Sequence, residues 1–171
     1  CYLGARTALE QAGLGVVGVP VDRYGLDVEH LAGRLRKDPS FRPALCYVNP
    51  VFQNPTGVTL SESRGAALVQ LAETYGFVII DDDPYGALAY EEHPLRLPES
   101  ANIVALRTIS KVVAPGLRIG WASGTSELID ALVITKQSVD LHTQTLGQLV
   151  LARLLADPSW LGRVAAVARA E

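Results

Sequence analysis

Lys111 lies in a short segment whose residue types could bind a phosphate and react with a carbonyl group. Thr108 and Ser110 alternate with one apolar residue before it, so in an extended stretch both hydroxyls face the same way, and Arg118 follows seven residues later. A guanidinium and two hydroxyls can bind a phosphate. The apolar neighbours that follow Lys111 would favour its neutral amine, which is the form that attacks an aldehyde. Taken singly, Lys111 is more typical of a surface turn and Arg118 of a salt bridge.

Three consecutive aspartates, Asp81, Asp82 and Asp83, come after a strongly apolar run farther upstream. Period-two alternation places Asp82 on the face opposite the other two carboxylates. A single carboxylate beneath a heteroaromatic ring could keep a pyridine nitrogen protonated. Tyr85, three residues after Asp82, could return its hydroxyl to the same ring. The alternative for three crowded carboxylates is a metal-binding or helix-capping turn.

Asn54 precedes Pro55, which disfavours a helical backbone at Asn54, and Thr56-Gly57 has the composition of a turn. The Asn54 amide could donate to a ring oxygen or serve only the turn. Tyr2 could stack on a cofactor ring or pack in a core. In this order along the chain, these residues and Lys111 predict a cradle for pyridoxal phosphate, whose aldehyde forms a Schiff base with lysine and whose ring accepts electrons.

Apolar strands alternate with helices along the chain. Strands are predicted over residues 16–21, 44–48, 77–80, 103–106 and 119–123. Helices are predicted over residues 5–12, 27–35, 61–75, 126–139, 142–155 and 160–169, with Asp27 as an N-cap and Gly76 as a stop. This alternation favours an α/β fold with a mostly parallel sheet covered on both faces. In such folds ligands bind at the carboxyl ends of strands, where Asn54, Asp82 and Lys111 are expected.

The bulk composition is that of an ordinary globular protein and excludes several functions. The 171 residues carry a formal net charge of -3, which gives no reason to expect nucleic-acid or anionic-membrane binding. No apolar run is long enough for a membrane helix. The two cysteines, Cys1 and Cys46, have no metal-ligand spacing and suit a reducing compartment such as the cytoplasm. No metal site is predicted. Without any methionine, and with helix-like sequence at both ends, the chain is expected to be a piece of a longer protein.

Three motifs together resemble the large domain of the fold-type-I, pyridoxal-phosphate-dependent aminotransferases of class I/II. They span Asn49–Gly57, Asp81–Gly86 and Thr108–Gly120, and their order and separation also match. The resemblance covers nearly the whole chain and is closer to the branch of 2-aminoadipate and kynurenine aminotransferases. It implies a three-layer α/β/α sandwich with a mostly parallel, mixed sheet. Residues 1–171 would be an incomplete large domain, and about 157–171 would begin the helix leading to a missing C-terminal small domain.

The resemblance assigns catalytic roles to Lys111, Asp82 and Tyr85. Lys111 would form the Schiff base and later move the proton between the substrate α-carbon and the cofactor. Asp82 would pair with the pyridine nitrogen. Tyr85 and Asn54 would hydrogen-bond the phenolic oxygen, and Tyr2 would stack on the ring.

The phosphate would be bound by Thr108, Ser110 and Arg118. Thr108 departs from the usual serine but retains the hydroxyl. The family's glycine-rich phosphate loop would lie upstream of Cys1, and the arginine that grips the substrate carboxylate beyond Glu171. Such enzymes are homodimers with shared active sites, so the piece alone is expected to be inactive.

The resemblance implies a cytoplasmic enzyme of amino-acid metabolism that transfers an amino group from an amino acid to a 2-oxo acid by a ping-pong mechanism. A different hypothesis is the effector domain of a MocR-type transcription regulator, which has the same fold and lysine but an additional winged-helix domain. Such regulators usually depart from the Phe-Gln-Asn-Pro-Thr-Gly and Asp-Pro-Tyr-Gly motifs present here. A β-eliminating enzyme of the same fold and an α/β domain that binds no cofactor are two further hypotheses.

Overall fold

The computed structural model of the chain describes residues 2–89, 95–157 and 159–170. They form two compact units, Cys1–Asp82 with Leu95–Ile103, and Asp83–Pro94 with Val104–Glu171. The first unit contains, in order, α1 (Leu3–Gln11), β1 (Val21–Asp22), β2 (Gly25–Leu26), α2 (Val28–Lys37), β3 (Leu45–Val48), α3 (Glu62–Tyr75) and β4 (Val78–Asp82). The second contains β5 (Ile103–Thr108), β6 (Gly120–Ser123), α4 (Ser126–Asp140), α5 (Thr145–Leu155) and α6 (Trp160–Ala170), with short 3-10 turns at Gly86–Leu88 and Pro115–Leu117.

The helix boundaries of the first unit follow the capping signals in the sequence. The Asp27 carboxylate accepts a hydrogen bond of 2.9 Å from the backbone N–H of His30 at the start of α2. The Ser61 hydroxyl accepts one from the backbone N–H of Arg64 at the start of α3. Gly76 ends α3 with a left-handed φ of 72°. The predicted helices at these positions are therefore confirmed.

Parallel pairing of β3 with β4 organises the first unit. The register runs from Leu45 opposite Val78 to Val48 opposite Asp81. The core beside this pair is made by buried apolar side chains of α2, α3, β4 and the adjoining loops, chiefly Val28, Leu31, Leu35, Leu60, Leu68, Val69, Ala72, Phe77 and Ile79. The strand continues to Asp82, beyond its predicted end at residue 80, because Asp81 still pairs with β3.

The second unit contains an antiparallel strand pair and a small core of its own. β5 and β6 pair from Ala105 opposite Ser123 to Thr108 opposite Gly120. Ile109, Ile119 and Leu151 are buried together. The predicted helix start at His142 is wrong: α5 begins at Thr145, after the side chain of Gln144 caps the backbone N–H of Gly147 at 2.7 Å.

The strand predicted over residues 16–21 is wrong. Residues 14–20 form no strand, and only Val21–Asp22 pairs, antiparallel, with Gly25–Leu26. A strand needs a partner for its backbone groups, and among the described residues only β4 pairs with β3. Within the described ranges, no helix is both long and apolar enough to cross a membrane.

Gly25 is the position at which the short β1–β2 hairpin depends most on glycine. Its φ is +91°, and a Cβ atom there would lie 2.7 Å from the Cα atom of Leu60. We expect Gly25→Ala to lower the free energy of unfolding by at least about 1 kcal/mol. Gly33→Ala is the control, because Gly33 lies within α2 with nothing within 4 Å of its Cβ position, and alanine there should be neutral or stabilising. Urea unfolding of both variants measures the difference, and equal stabilities would contradict it.

Candidate functional site

Asp82, at the carboxyl end of β4, is the centre of a polar cluster in the first unit. The Tyr47 hydroxyl, on β3, donates a hydrogen bond to Oδ2 of Asp82. Nδ2 of Asn49 donates to the same oxygen at 3.2 Å and to the backbone carbonyl of Asp82 at 2.9 Å. Because β3 and β4 are parallel, their carboxyl ends meet at one edge, as the sequence predicted for Asp82.

Tyr47 is held as a protonated donor in this cluster. Burial raises the pKa of its phenol, and the hydrogen bond to Asp82 and the charge of that carboxylate raise it further. The Asn49 amide acts in the opposite direction, while an electrostatic interaction with Tyr2 adds to the increase in the pKa. The net effect keeps the Tyr47 proton available to Asp82 well above neutral pH.

Asn49 is buried, and its side-chain amide is hydrogen-bonded through the nitrogen but not through the oxygen. Its Nδ2 also donates to the Tyr47 hydroxyl at 3.2 Å, whereas its Oδ1 atom has no hydrogen-bond partner among the described residues. A carboxylate only accepts hydrogen bonds, so the amide must turn its NH₂ group toward Asp82. An unsatisfied buried acceptor lowers the free energy of unfolding by about 1–3 kcal/mol. The Asn49 oxygen is such an acceptor, and it lies within the Asp82 cluster.

Sequence reasoning missed both Tyr47 and Asn49. The signal was present: the two residues are separated by one position at the end of a strand predicted to be parallel to the strand of Asp82. Only the register of β3 against β4 shows that both side chains reach the same carboxylate.

The loop that carries Asn54 is fastened by the side chain of Gln53. Oε1 of Gln53 accepts hydrogen bonds from the backbone N–H of Thr56 at 3.1 Å and from its hydroxyl at 2.5 Å. Gly57 closes the turn with φ +74° and a hydrogen bond of 2.6 Å to the carbonyl of Gln53. The predicted turn is confirmed. The half-buried Asn54 side chain makes no hydrogen bond with the described residues. Its amide therefore does not stabilise the turn and can still bond a ligand.

Tyr2 immediately precedes α1 and lies on the surface of the first unit. Its ring is close to Gly4, where a Cβ atom would come within 2.8 Å of the ring. The side chain is 50% exposed, so the alternative of ordinary core packing is wrong for Tyr2. Tyr2 also makes a small electrostatic contribution to the raised pKa of the Tyr47 phenol.

In the second unit, Asp83 holds the turn that carries Tyr85. Oδ1 of Asp83 accepts hydrogen bonds from the backbone N–H groups of Tyr85 at 3.1 Å and Gly86 at 2.6 Å. Its other oxygen lies 3.9 Å from Nε of Arg107. A side chain on Gly86 would collide with the Asp83 carboxylate. Asp82 and Asp83 thus have different partners. The capping alternative describes Asp83, whose carboxylate bonds the backbone N–H groups at the start of the Gly86–Leu88 turn.

Lys111 and Tyr85 are brought together in this unit. Nζ of Lys111 lies 5.9 Å from the centroid of the Tyr85 ring, within reach of a cation–π contact. The expectation of an apolar setting for Lys111 is wrong, because the side chain is exposed in the turn that follows β5. Val112 and Val113 turn back to bond the carbonyl of Ile109 and leave the lysine uncovered.

The hydroxyls of Thr108 and Ser110 lie on the same side, as their alternation predicted, and hydrogen-bond each other. The Thr108 hydroxyl lies 2.9 Å from the Ser110 hydroxyl and 2.8 Å from the carbonyl of Ile119, and it accepts from the backbone N–H of Ser110 at 3.1 Å. Thr108 therefore stabilises the turn from within. The Ser110 hydroxyl takes part in this network through its contact with Thr108.

Arg118 ends the 3-10 turn in a left-handed conformation with φ +52°. Its guanidinium is exposed and bonds the carbonyl of Pro115 at 3.2 Å. The predicted alternative of a salt bridge is not formed with any acidic residue that the structure describes. Positive φ costs energy in a non-glycine residue and is often retained at functional sites.

A family model described as "Aminotransferase class I and II" matches residues 2–166. The chain is 38% identical over 155 residues to aromatic-amino-acid aminotransferase 1 of Thermococcus litoralis, covering 87% of this chain and 37% of the relative. It is also 33% identical over 159 residues to the uncharacterized HTH-type transcriptional regulator YisV of Bacillus subtilis, covering 91% of this chain and 32% of the relative. The chain therefore spans only about a third to two fifths of these relatives.

Among solved structures, the chain is similar to the kynurenine aminotransferase of Pyrococcus horikoshii, crystallised with PMP, kynurenine as substrate and KYA as product. The TM-score is 0.92 at 37% identity, and the match covers 98% of this chain and 43% of that chain. The likeness confirms the predicted α/β fold and the predicted resemblance.

Thr108 gives a test of the turn that carries Ser110 and Lys111. We expect Thr108→Val to lower the free energy of unfolding by about 1–2 kcal/mol, because it removes the hydroxyl that bonds Ile119 and Ser110 while retaining the side-chain shape. Thr108→Ser keeps the hydroxyl and should lose much less. Urea unfolding compares the two, and equal losses would show that the hydroxyl does not stabilise the turn.

Proposed function

Because the chain belongs to the class I and II aminotransferases, we propose that it is most of the cofactor-binding large domain of a pyridoxal-phosphate-dependent aminotransferase. The enzyme moves an amino group between an amino acid and a 2-oxo acid by a ping-pong mechanism. One observation supports the chemistry most directly: the donors to the Asp82 carboxylate, Tyr47 and Asn49, are both neutral. Among the described residues no arginine or lysine pairs with Asp82, so its carboxylate is left to pair with a pyridinium.

The residues present fit pyridoxal phosphate by the chemistry of their donor groups. Ser110 and Arg118 supply a hydroxyl and a guanidinium for the phosphate, with Thr108 acting chiefly through the turn. Asn54 and Tyr85 supply an amide and a hydroxyl for the phenolic oxygen. When bound, the cofactor supplies an electron-accepting ring that stabilises negative charge at the substrate α-carbon.

Different side chains of the protein have different roles in this proposal. Lys111 would hold the cofactor through its amine and would carry the proton to and from the substrate α-carbon. Its exposed position in the turn leaves the amine room to move between these two tasks. Asp82 would pair with the ring nitrogen and favour its protonated form, and Tyr2 would stack on the ring. Lys111, Asp82 and Tyr85 are the catalytic residues of this proposal.

Residues 1–171 form an incomplete large domain in this proposal. A cavity of about 790 Å³ in the first unit is lined by residues of β3 and by residues 14–19. Among the described residues β3 has a partner on one side only. Both features suit a strand contributed by other parts of the protein. Residues 157–171, including α6, would begin the connection to a smaller C-terminal domain.

The complete enzyme is proposed to be a cytoplasmic homodimer. Supporting this, α4 and the loop after it expose large apolar side chains: Ile134 is 71% exposed, and Val139 and Leu141 are each 78% exposed. Apolar surface of this kind is typical of an interface. Its substrates are amino acids and 2-oxo acids, and aromatic, 2-aminoadipate and branched-chain donors are all candidates.

The decisive experiment follows one half-reaction in the full-length protein. The protein is loaded with pyridoxal phosphate, mixed with a panel of amino acids, and followed by its visible absorption spectrum. We expect at least one amino acid to convert the lysine-bound cofactor into its amine form, and a 2-oxo acid to reverse the change. Release of pyruvate and ammonia without a 2-oxo acid acceptor would indicate a β-eliminating enzyme instead.

Lys111→Ala should abolish both the absorption band of the lysine-bound cofactor and all turnover, because the proposal assigns the attaching amine to Lys111. Lys37→Ala is the matched control, since Lys37 is an exposed lysine in the last turn of α2. Turnover of Lys111→Ala at the rate of the control would refute the assignment of Lys111.

The second candidate function is the cofactor-binding domain of a transcription regulator, which the similarity to an HTH-type protein favours. In that case the cofactor would attach to Lys111 without conversion by any amino acid in the panel. The absorption spectrum of the half-reaction therefore distinguishes the two functions.

A further inference from the structure

The hydrogen bonds to the Asp82 side chain converge on one of its two oxygens. The Tyr47 hydroxyl and Nδ2 of Asn49 both donate to Oδ2. The other oxygen, Oδ1, accepts no hydrogen bond from the residues described by the structure. Rotation of the carboxylate would break both bonds, so the two oxygens are not equivalent.

Asn49 fixes more than the carboxylate. The same amide group bonds the backbone carbonyl of Asp82 at 2.9 Å and the hydroxyl of Tyr47 at 3.2 Å. Backbone, carboxylate and phenol are thereby tied into one unit at the ends of two paired strands. The unsatisfied Oδ1 of Asn49 shows that this arrangement is kept in spite of its energetic cost.

We propose that Tyr47 and Asn49 are positioning residues for the reaction, holding Oδ2 of Asp82 so that Oδ1 is the oxygen presented to the ring nitrogen of the cofactor. This inference rests on the proposed function. Neither residue touches the substrate; both act through Asp82. Because both donors are neutral, they orient the carboxylate without cancelling the charge that keeps the ring nitrogen protonated. The raised pKa of Tyr47 means that its proton remains in place at the pH of an ordinary assay.

Tyr47→Phe removes the donor and leaves the ring, and Tyr75→Phe is the matched control. Tyr75 is a half-buried tyrosine that packs against the core of the first unit, and its hydroxyl bonds none of the described residues. We expect Tyr47→Phe to lower the rate of the half-reaction at saturating amino acid by about tenfold or more, the loss that corresponds to one hydrogen bond to a charged group. KM for the amino acid should change little, because no substrate contact is lost.

A second readout is independent of turnover. With pyridoxal phosphate labelled with ¹⁵N in its ring, the resonance of that nitrogen reports its protonation. We expect Tyr47→Phe to shift the resonance toward the unprotonated position and Tyr75→Phe to leave it unchanged. Asn49→Ser should shift it in the same direction as Tyr47→Phe, which provides a second test if either variant is unstable.

A double-mutant cycle tests whether Tyr47 acts through Asp82. In the background of Asp82→Asn, which itself should slow removal of the α-proton strongly, Tyr47→Phe should cause almost no further loss. A full additional loss in that background, or a ring-nitrogen resonance of Tyr47→Phe equal to that of Tyr75→Phe, would overturn the inference. If the unmodified protein binds the cofactor but no amino acid converts it to its amine form, the proposed aminotransferase function is contradicted. If the conversion occurs and Tyr47→Phe behaves like Tyr75→Phe, only the positioning role of Tyr47 is contradicted.

Discussion

A partly buried carboxylate at the end of a parallel strand must be hydrogen-bonded, yet the proposed pairing of Asp82 with a pyridinium would require the carboxylate to keep its charge. The neighbouring strand supplies hydrogen bonds that meet both demands. The register of β3 against β4 brings Tyr47 and Asn49 to Asp82, and both are neutral donors. A shift of one residue would turn Tyr47 to the other face of the sheet and remove the support. The helices and core of the first unit matter to the site mainly because they hold this register.

The same division between supporting and reacting side chains recurs in the second unit. Asp83 and Thr108 have residue types that suggest chemistry, but their hydrogen bonds close turns. Their neighbour Tyr85 keeps a hydroxyl that bonds none of the described residues, and Ser110 shares its hydroxyl with Thr108 alone among them. Lys111 has an exposed amine. Residues that satisfy the backbone therefore alternate with residues that can meet a ligand. This explains why polar side chains are dense in these motifs, although only some of them would contact the cofactor.

Local signals in the sequence predicted much of this fold, and non-local pairing explains most of what they missed. Asp27, Ser61 and Gly76 define helix ends through contacts within a few residues, so the helices could be predicted. The strand expected over residues 16–21 did not form because a strand depends on a partner that no local pattern reveals. For the same reason Tyr47 and Asn49 were missed, since their role depends on register. The exposure of Lys111 was missed because its valine neighbours fold back on their own turn.

The chain is similar both to an aminotransferase and to an HTH-type regulator, so the two candidate functions are distinguished by what each would require of the site. The regulator hypothesis would require only attachment of the cofactor through lysine. An aminotransferase must also withdraw electrons from the substrate α-carbon, and this requires a ring nitrogen that stays protonated. In the Asp82 cluster a half-buried phenol and a buried amide with an unsatisfied carbonyl hold the carboxylate. Two neutral donors leave its charge for a ring nitrogen, and for this reason the cluster is better suited to the proposed enzyme than to a domain that only binds the cofactor.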